Sequence, residues 1–192
     1  MTDPAPRPEH AEHIRTASLE LSPLAVEHAE EMAGVLADPA LYRFTGGEPS
    51  TPEELRARYR RLVAGSPDPA VVWHNRVLRL RDGGRLVGTV QATVTGSRTV
   101  AEVAWVVGTP WQGRGLATEA AREWIAWLTG RGGVRTVIAH IHPDHRASAA
   151  VAAACGLAPT GELQDGEVRW RLTLPAGQGS TTYHCRTDFP RT

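Results

Sequence analysis

Residues 101–120 read A-E-V-A-W-V-V-G-T-P-W-Q-G-R-G-L-A-T-E-A, and the fold turns on how this stretch divides. Its first seven residues are valine-rich and alternate in the manner of a strand. From Leu116 onward, Leu116, Ala120, Trp124, Trp127 and Leu128 recur at helical spacing, so 116–129 forms an amphipathic helix. Between them lies W-Q-G-R-G, with Gly113 and Gly115 two residues apart. A loop running from a strand into a helix presents N–H groups that no helical carbonyl accepts, at the positive end of the helix dipole. Phosphates bind such ends readily, and glycine lets the backbone approach them and take positive φ. A plain connecting turn has the same composition, so the neighbouring segments must decide.

Upstream, 73–81 and 85–95 read as antiparallel strands around Asp82-Gly83-Gly84, and Gly96-Ser97 turns the chain into the strand of 101–107. Downstream, 134–141 is a buried-type strand, His142 to Arg146 a turn, and 147–155 a short alanine-rich helix stopped by Gly156. A hairpin closes the domain around 157–161 and 167–174. Toward the N-terminus, 18–22 is a strand. Pro23 then starts a helix through Leu24, Val26, Met32, Val35 and Leu36, which Asp38-Pro39 ends. A second helix follows the loop L-Y-R-F-T-G-G-E-P, with Ser50 or Thr51 as cap and Pro52 at its first position. The order β-α-α-β-β-β-α-β-α-β-β implies an α/β, mixed α+β fold. Its central sheet is mixed and mostly antiparallel, flanked by helices, with one right-handed crossover between parallel strands. Residues 1–16 and 175–192, polar and irregular, are expected as tails around a single domain at 17–174.

The 21 basic and 21 acidic residues balance, and every base is arginine. No global field favours nucleic acid or an anionic membrane as partner. The N-terminus has no apolar h-region and no stretch is long enough to span a bilayer, which points to the cytoplasm. Cys155 and Cys185 make no disulfide framework and have no metal-ligand spacing to each other.

Three phosphate-binding families use the physics of the glycine loop. A P-loop requires a lysine, and the chain has none. Gly113-x-Gly115-x-x-Thr118 nearly matches a dinucleotide fingerprint, but the next strand ends in Ala139-His140-Ile141 without the acid that holds the ribose. The third fits: Gln112-Gly113-Arg114-Gly115-Leu116-Ala117 resembles the Q/R-x-x-G-x-G/A pyrophosphate loop of the GNAT superfamily of acetyl-CoA-dependent N-acetyltransferases. The strand, loop and helix of 101–120 resemble those of that family, as do A-H-I-H-P-D-H-R-A-S and V-A-A-A-C-G-L. The branch with the greatest similarity contains the ribosomal-protein N-terminal acetyltransferases, which carry H-P-x-N-x-x-S in the turn. The resemblance spans about 17–174 and is most specific in the C-terminal half.

The resemblance implies acetyl-CoA as cosubstrate and no metal. Backbone N–H groups of Gln112, Gly113, Arg114, Gly115, Leu116, Ala117 and Thr118 would hold the pyrophosphate, with charge added by Arg114. Val106 and Val107 would splay from the next strand and bind the pantetheine arm, a backbone N–H there polarising the thioester carbonyl. His145 stands where the branch has Asn, in contact with the cofactor arm. Ser148 matches the motif's Ser and is a candidate acid near the thiol; its plain alternative is a first-turn serine. The position at which many members carry an acidic tyrosine is Ala152 here. Glu102, an acid on an apolar strand, is the candidate base for the amine, the alternative being a solvated outward residue. Glu48 and Glu167 are lesser carboxylates at the acceptor side, where Tyr42 and Phe44 line the entry or cap the core. His140, His142 and His145 lack the partners for zinc.

The expected acceptor is a small-molecule amine or a protein N-terminus, acetylated by direct attack in a ternary complex. An α-amine near pKa ~8 deprotonates far more easily than a lysine near ~10.4. Two other readings stand beside it: an acyl-CoA-binding or sensing module with impaired catalysis, and an aminoglycoside-type acetyltransferase. The chain is expected as a monomer or homodimer.

Overall fold

The computed structural model describes residues 12–96, 98–131 and 133–175. Eight strands form one sheet: β1 (Ile14–Arg15), β2 (Leu19–Pro23), β3 (Val72–Leu80), β4 (Leu86–Thr95), β5 (Val100–Val107), β6 (Thr136–Ile141), β7 (Ala158–Gln164) and β8 (Glu167–Thr173). They lie in the order β1-β2-β3-β4-β5-β6-β8-β7. Only the β5–β6 pair is parallel, and a single α-helix connects its two strands, whereas two helices separate the antiparallel β2 and β3.

Four helices flank the sheet: α1 (Ala29–Val35), α2 (Pro52–Ala64), α3 (Leu116–Gly130) and α4 (Arg146–Ala154). On one face α3 sets Leu116, Ala120, Trp124, Trp127 and Leu128 against Val90, Ala92, Val103, Val137 and Ala139, and α4 adds Ala152. On the other face α1 and α2 bring Met32, Val35, Leu55 and Tyr59 against Val77 and Leu86. These helices pack mainly on β3 and β4, and Glu102 and Ala104 of β5 are exposed. Strand alternation puts Glu102 on the same face as Thr93, Ile138 and Arg171, its register neighbours across four strands.

The N-terminal helix starts later than its proline implies. Pro23 ends β2, Leu24 N–H still donates to Asn75 O at 2.9 Å, and a 3-10 turn (Val26–His28) precedes α1. Because β1 reaches only to Glu20 and Leu21, the missing proline N–H has no partner to deprive on that side. A strand also appears inside the segment expected as a tail. Ile14 and Arg15 pair with Leu21 and Glu20, and Glu12 accepts from Trp127 Nε1 at 2.9 Å while binding Arg131. Two residues are too few for any periodicity, and what orders them is β2 together with the contacts of the flanking Glu12 and Thr16 to Trp127 and Glu119 of α3. At α2 the reading of the cap narrows to Thr51, whose hydroxyl accepts from Glu54 N–H while the Glu54 carboxylate accepts from Thr51 N–H at 2.8 Å.

Candidate active site

β5 and β6 pair only from Val100↔Thr136 to Glu102↔Ile138, and beyond that point they part. Residues 103–107 keep β4 on one side and have no ladder on the other. The Val106 carbonyl lies against β4, since a Cβ on Gly88 would come within 2.1 Å of it. Strand alternation then turns the N–H groups of Trp105 and Val107 into the gap. Of the expected pair, Val107 therefore faces the gap and Val106 faces β4, while Trp105 joins from a position the sequence reading passed over.

At the head of this gap stands the glycine loop. After a 3-10 turn (Thr109–Trp111), Gly113 takes φ 73° and Gly115, the N-cap of α3, takes φ 76°. A Cβ on either would meet nothing within 4 Å, so backbone conformation, not crowding within the protein, demands glycine there. Gly115 offers no side-chain cap, and the first intrahelical bond of α3 begins at Glu119 N–H, donated to Gly115 O. The N–H groups of Leu116, Ala117 and Thr118 thus face outward at a positive helix end, the arrangement a pyrophosphate fits. The Gln112 side chain turns inward instead: its Nε2 donates to Val107 O at 2.9 Å, tying the loop to the end of β5. Arg114 is exposed.

The turn after β6 forms the opposite wall. His145 is the N-cap of α4, its Nδ1 accepting from Ser148 N–H at 3.4 Å, so it occupies the capping role that Asn commonly fills. Burial, followed by the neighbouring His142, holds the His145 imidazole below its ordinary value. Ser148 lies half-buried in the first turn of α4. Ala152 is fully buried in the core, and Cys155 packs half-buried against that core with its thiol pushed up by burial to about 11. Such a thiol stays protonated and unreactive at neutral pH.

The loop between α1 and α2 closes the third side. The Thr109 hydroxyl and then Ala40 N–H bind the Asp38 carboxyl and hold it below its usual range. Phe44 stacks on His145 at 4.5 Å and tilts against His142 at 5.2 Å. The Tyr42 hydroxyl is spent within the loop, donating to Leu36 O at 3.1 Å. Glu48 is exposed at the loop's far end. Glu167 starts β8 beside its turn, on the face that carries Arg169 and Arg171 but beyond the end of β6. Glu102, by contrast, stands where the strands part, its Oε1 3.2 Å from Nδ1 of His140 on β6. Glu102 thus lies on the strand that leads into the loop, whereas Glu48 is exposed on the α1–α2 loop and Glu167 lies on β8 beyond the end of β6. Cys185 lies outside the described residues, as does Tyr183, a tail residue that would be a substitute acid if it folded back. Among the described residues no group of three or more His, Cys, Asp and Glu is placed to hold a metal ion, and no helix is long and apolar enough to cross a membrane.

The sequence profile of the acetyltransferase (GNAT) domain matches residues 18–158. The chain belongs to the GNAT acetyltransferase family. Solved GNAT structures share its fold. RimL, a ribosomal L7/L12 α-N-protein acetyltransferase solved with coenzyme A, superposes at TM-score 0.72 with 17% identity, covering 85% of this chain and 98% of its own. RimJ of Mycobacterium smegmatis, solved with CoA-disulfide, gives TM-score 0.70 and 20% identity over 81% of each chain. The microcin C7 self-immunity acetyltransferase MccE, solved with acetyl-CoA and AMP, gives 0.64 and 16% over 83% of this chain and 94% of its own. No protein of curated function matches the chain significantly. Within the GNAT frame, β5 runs from Glu102, where its pairing with β6 ends, to the glycine loop that follows Val107.

Proposed function

We propose that this GNAT acetyltransferase moves the acetyl group of acetyl-CoA to a primary amine by direct attack within a ternary complex. One observation carries the reading: the β5–β6 gap opens onto the loop of Gly113 and Gly115 at one end and onto Glu102 at the other. The outward N–H groups of Leu116, Ala117 and Thr118 bind the pyrophosphate, and Arg114 adds charge. The N–H groups of Trp105 and Val107 hold the arm, and a donor at this site stabilises the charge that develops on the thioester oxygen. Gln112 and His145 shape the groove by fixing Val107 and the head of α4. Glu102 takes the proton of the acceptor ammonium, and Ser148 is the candidate proton donor to the leaving sulfur. An acid of modest strength suffices there, because a thiol near pKa ~8.5 is already a fair leaving group.

The acceptor enters between Phe44 and the β7–β8 hairpin. A protein N-terminus is the favoured acceptor: RimL is named for acetylating one, and an α-amine loses its proton more readily than a lysine. Titration calorimetry with acetyl-CoA, followed by free-CoA release across N-terminal peptides, polyamines and aminoglycosides, tests the proposal. Absence of binding heat would sink it.

The buried Ala152 favours a second reading, an acyl-CoA-binding module without turnover. Turnover with any acceptor that is lost in Glu102→Gln while acetyl-CoA binding persists would exclude it.

A further inference from the structure

Glu102 on β5 and His140 on β6 meet just past the last β5–β6 ladder pair. His140 follows Ile138 by two residues and so shares its face with Glu102. An ionised carboxylate only accepts hydrogen bonds, so the hydrogen between Glu102 Oε1 and His140 Nδ1 sits on the ring. The two side chains differ sharply in exposure, 53% for Glu102 and 11% for His140. Nε2 of the ring is buried and has no partner, and so is Nε of Arg169, the residue opposite His140 on β8. The Arg169 guanidinium reaches instead to Glu162 on β7, at 2.6 Å.

A histidine that merely filled the sheet would commonly spend both nitrogens on buried partners, because an unmade buried hydrogen bond is costly. This one makes its ring hydrogen bond to Glu102, the one acid of β5.

Resting on the N-acetyltransferase reading, we propose that His140 is a positioning residue for Glu102. It pins Oε1 and leaves Oε2 directed at the acceptor amine. In the step so arranged, the acceptor ammonium gives one proton to Oε2. The freed lone pair forms the C–N bond at the thioester carbonyl carbon, and the C–S bond breaks with its electron pair on sulfur. The second nitrogen proton ends on that sulfur as CoA thiol, and the exposed Glu102 returns its proton to water. His140 neither gains nor loses a proton.

The test uses the full chain with ¹⁵N-labelled histidine. Long-range ¹H–¹⁵N spectra at neutral pH should show His140 as the Nδ1–H tautomer, and Glu102→Ala should shift it toward Nε2–H. Kinetics use acetyl-CoA with short peptides beginning in Ser or Ala. His140→Phe should lower kcat by roughly tenfold to a hundredfold, the scale of a misplaced catalytic group, with acetyl-CoA affinity unchanged. His140→Asn, whose amide replaces the Nδ1 donor, should recover most of the loss, and His140→Phe should add nothing to Glu102→Ala. An Nε2–H ring in the wild type, a tautomer indifferent to Glu102→Ala, or wild-type kcat in His140→Phe overturns the proposal. Absence of acetyl-CoA binding overturns the proposed function instead, and the tautomer result stands apart from it.

Discussion

Phe44 stacks on His145 with ring centroids 4.5 Å apart and planes 24° from parallel, so one ring fastens the α1–α2 loop to the head of α4. The same ring meets His142 and lies beneath the Arg43 guanidinium at 5.3 Å. The Phe44 ring thus links two segments about a hundred residues apart in sequence.

Removing that contact should act on the acceptor. An aromatic stack contributes about 0.5–1.5 kcal/mol beyond its burial. Phe44→Ala is expected to raise the acceptor KM about threefold to tenfold, with acetyl-CoA affinity little changed and Phe44→Tyr close to wild type. Free-CoA release at varied acceptor, set beside calorimetry, checks this. An equal loss in acetyl-CoA binding would place the stack on the donor side instead.

Gly113 and Gly115 separate conformation from contact. Alanine at either must adopt positive φ, costing about 1 kcal/mol, which for a domain of this size lowers Tm by about 2–4 °C. The new methyl meets no protein atom within 4 Å, and in the proposed complex it would crowd the pyrophosphate. Acetyl-CoA affinity should fall at least about tenfold, the equivalent of one lost charge-assisted hydrogen bond. Unchanged calorimetric affinity in both variants would remove the loop from the binding site.

Gly88 presents the opposite case. Its Cβ would stand 2.1 Å from Val106 O and 3.0 Å from Val107 Cα, backbone atoms that no rotamer can move. Gly88→Ala should therefore cost more than about 3 kcal/mol, among the severe substitutions, and give little folded protein. Gly83→Ala, with open space around it, should cost only about 1 kcal/mol from its positive φ. Denaturant midpoints of the two variants make the comparison.

Acid should loosen the N-terminal strand. Desolvation acts to raise Glu119, but the Thr16 hydroxyl and the Ser18 N–H, at 2.7 Å, outweigh it and leave the group below its ordinary value. Glu12 is lowered by Trp127 and then by Arg131. A carboxyl depressed in the folded state contributes fully above the unfolded value, about pH 4.3. The contribution is lost as pH falls from there through the folded pKa, because the unfolded chain binds the proton first. Urea midpoints should decline across that window in the wild type and decline less steeply in Glu119→Gln. Identical slopes would show that these contacts do not persist in solution.

Much of this architecture is legible in one dimension. Wherever a segment buries one face, its apolar period shows, so 116–129 and the strands of β3 to β6 stand out. The cap of α2, narrowed by the structure from Ser50 or Thr51 to Thr51, and Gly115 at the head of α3 are local chemistry. Pro23 misleads because the same residue suits a first helical turn and an end of a strand, and only β2's short neighbour settles which.

The sequence by itself determined the family, the order of elements, the glycine loop and the presence of an acid on an apolar strand. All of these rest on interactions within a few residues. Only the tertiary structure decided that His140 stands behind Glu102, that Gln112 turns to Val107 while Trp105 faces the gap, and that Phe44 locks against His145. The His140, Trp105 and Phe44 relationships depend on how β5 and β6 register and where they part, or on a loop crossing the sheet. Those are set by packing across the whole core rather than by any local pattern.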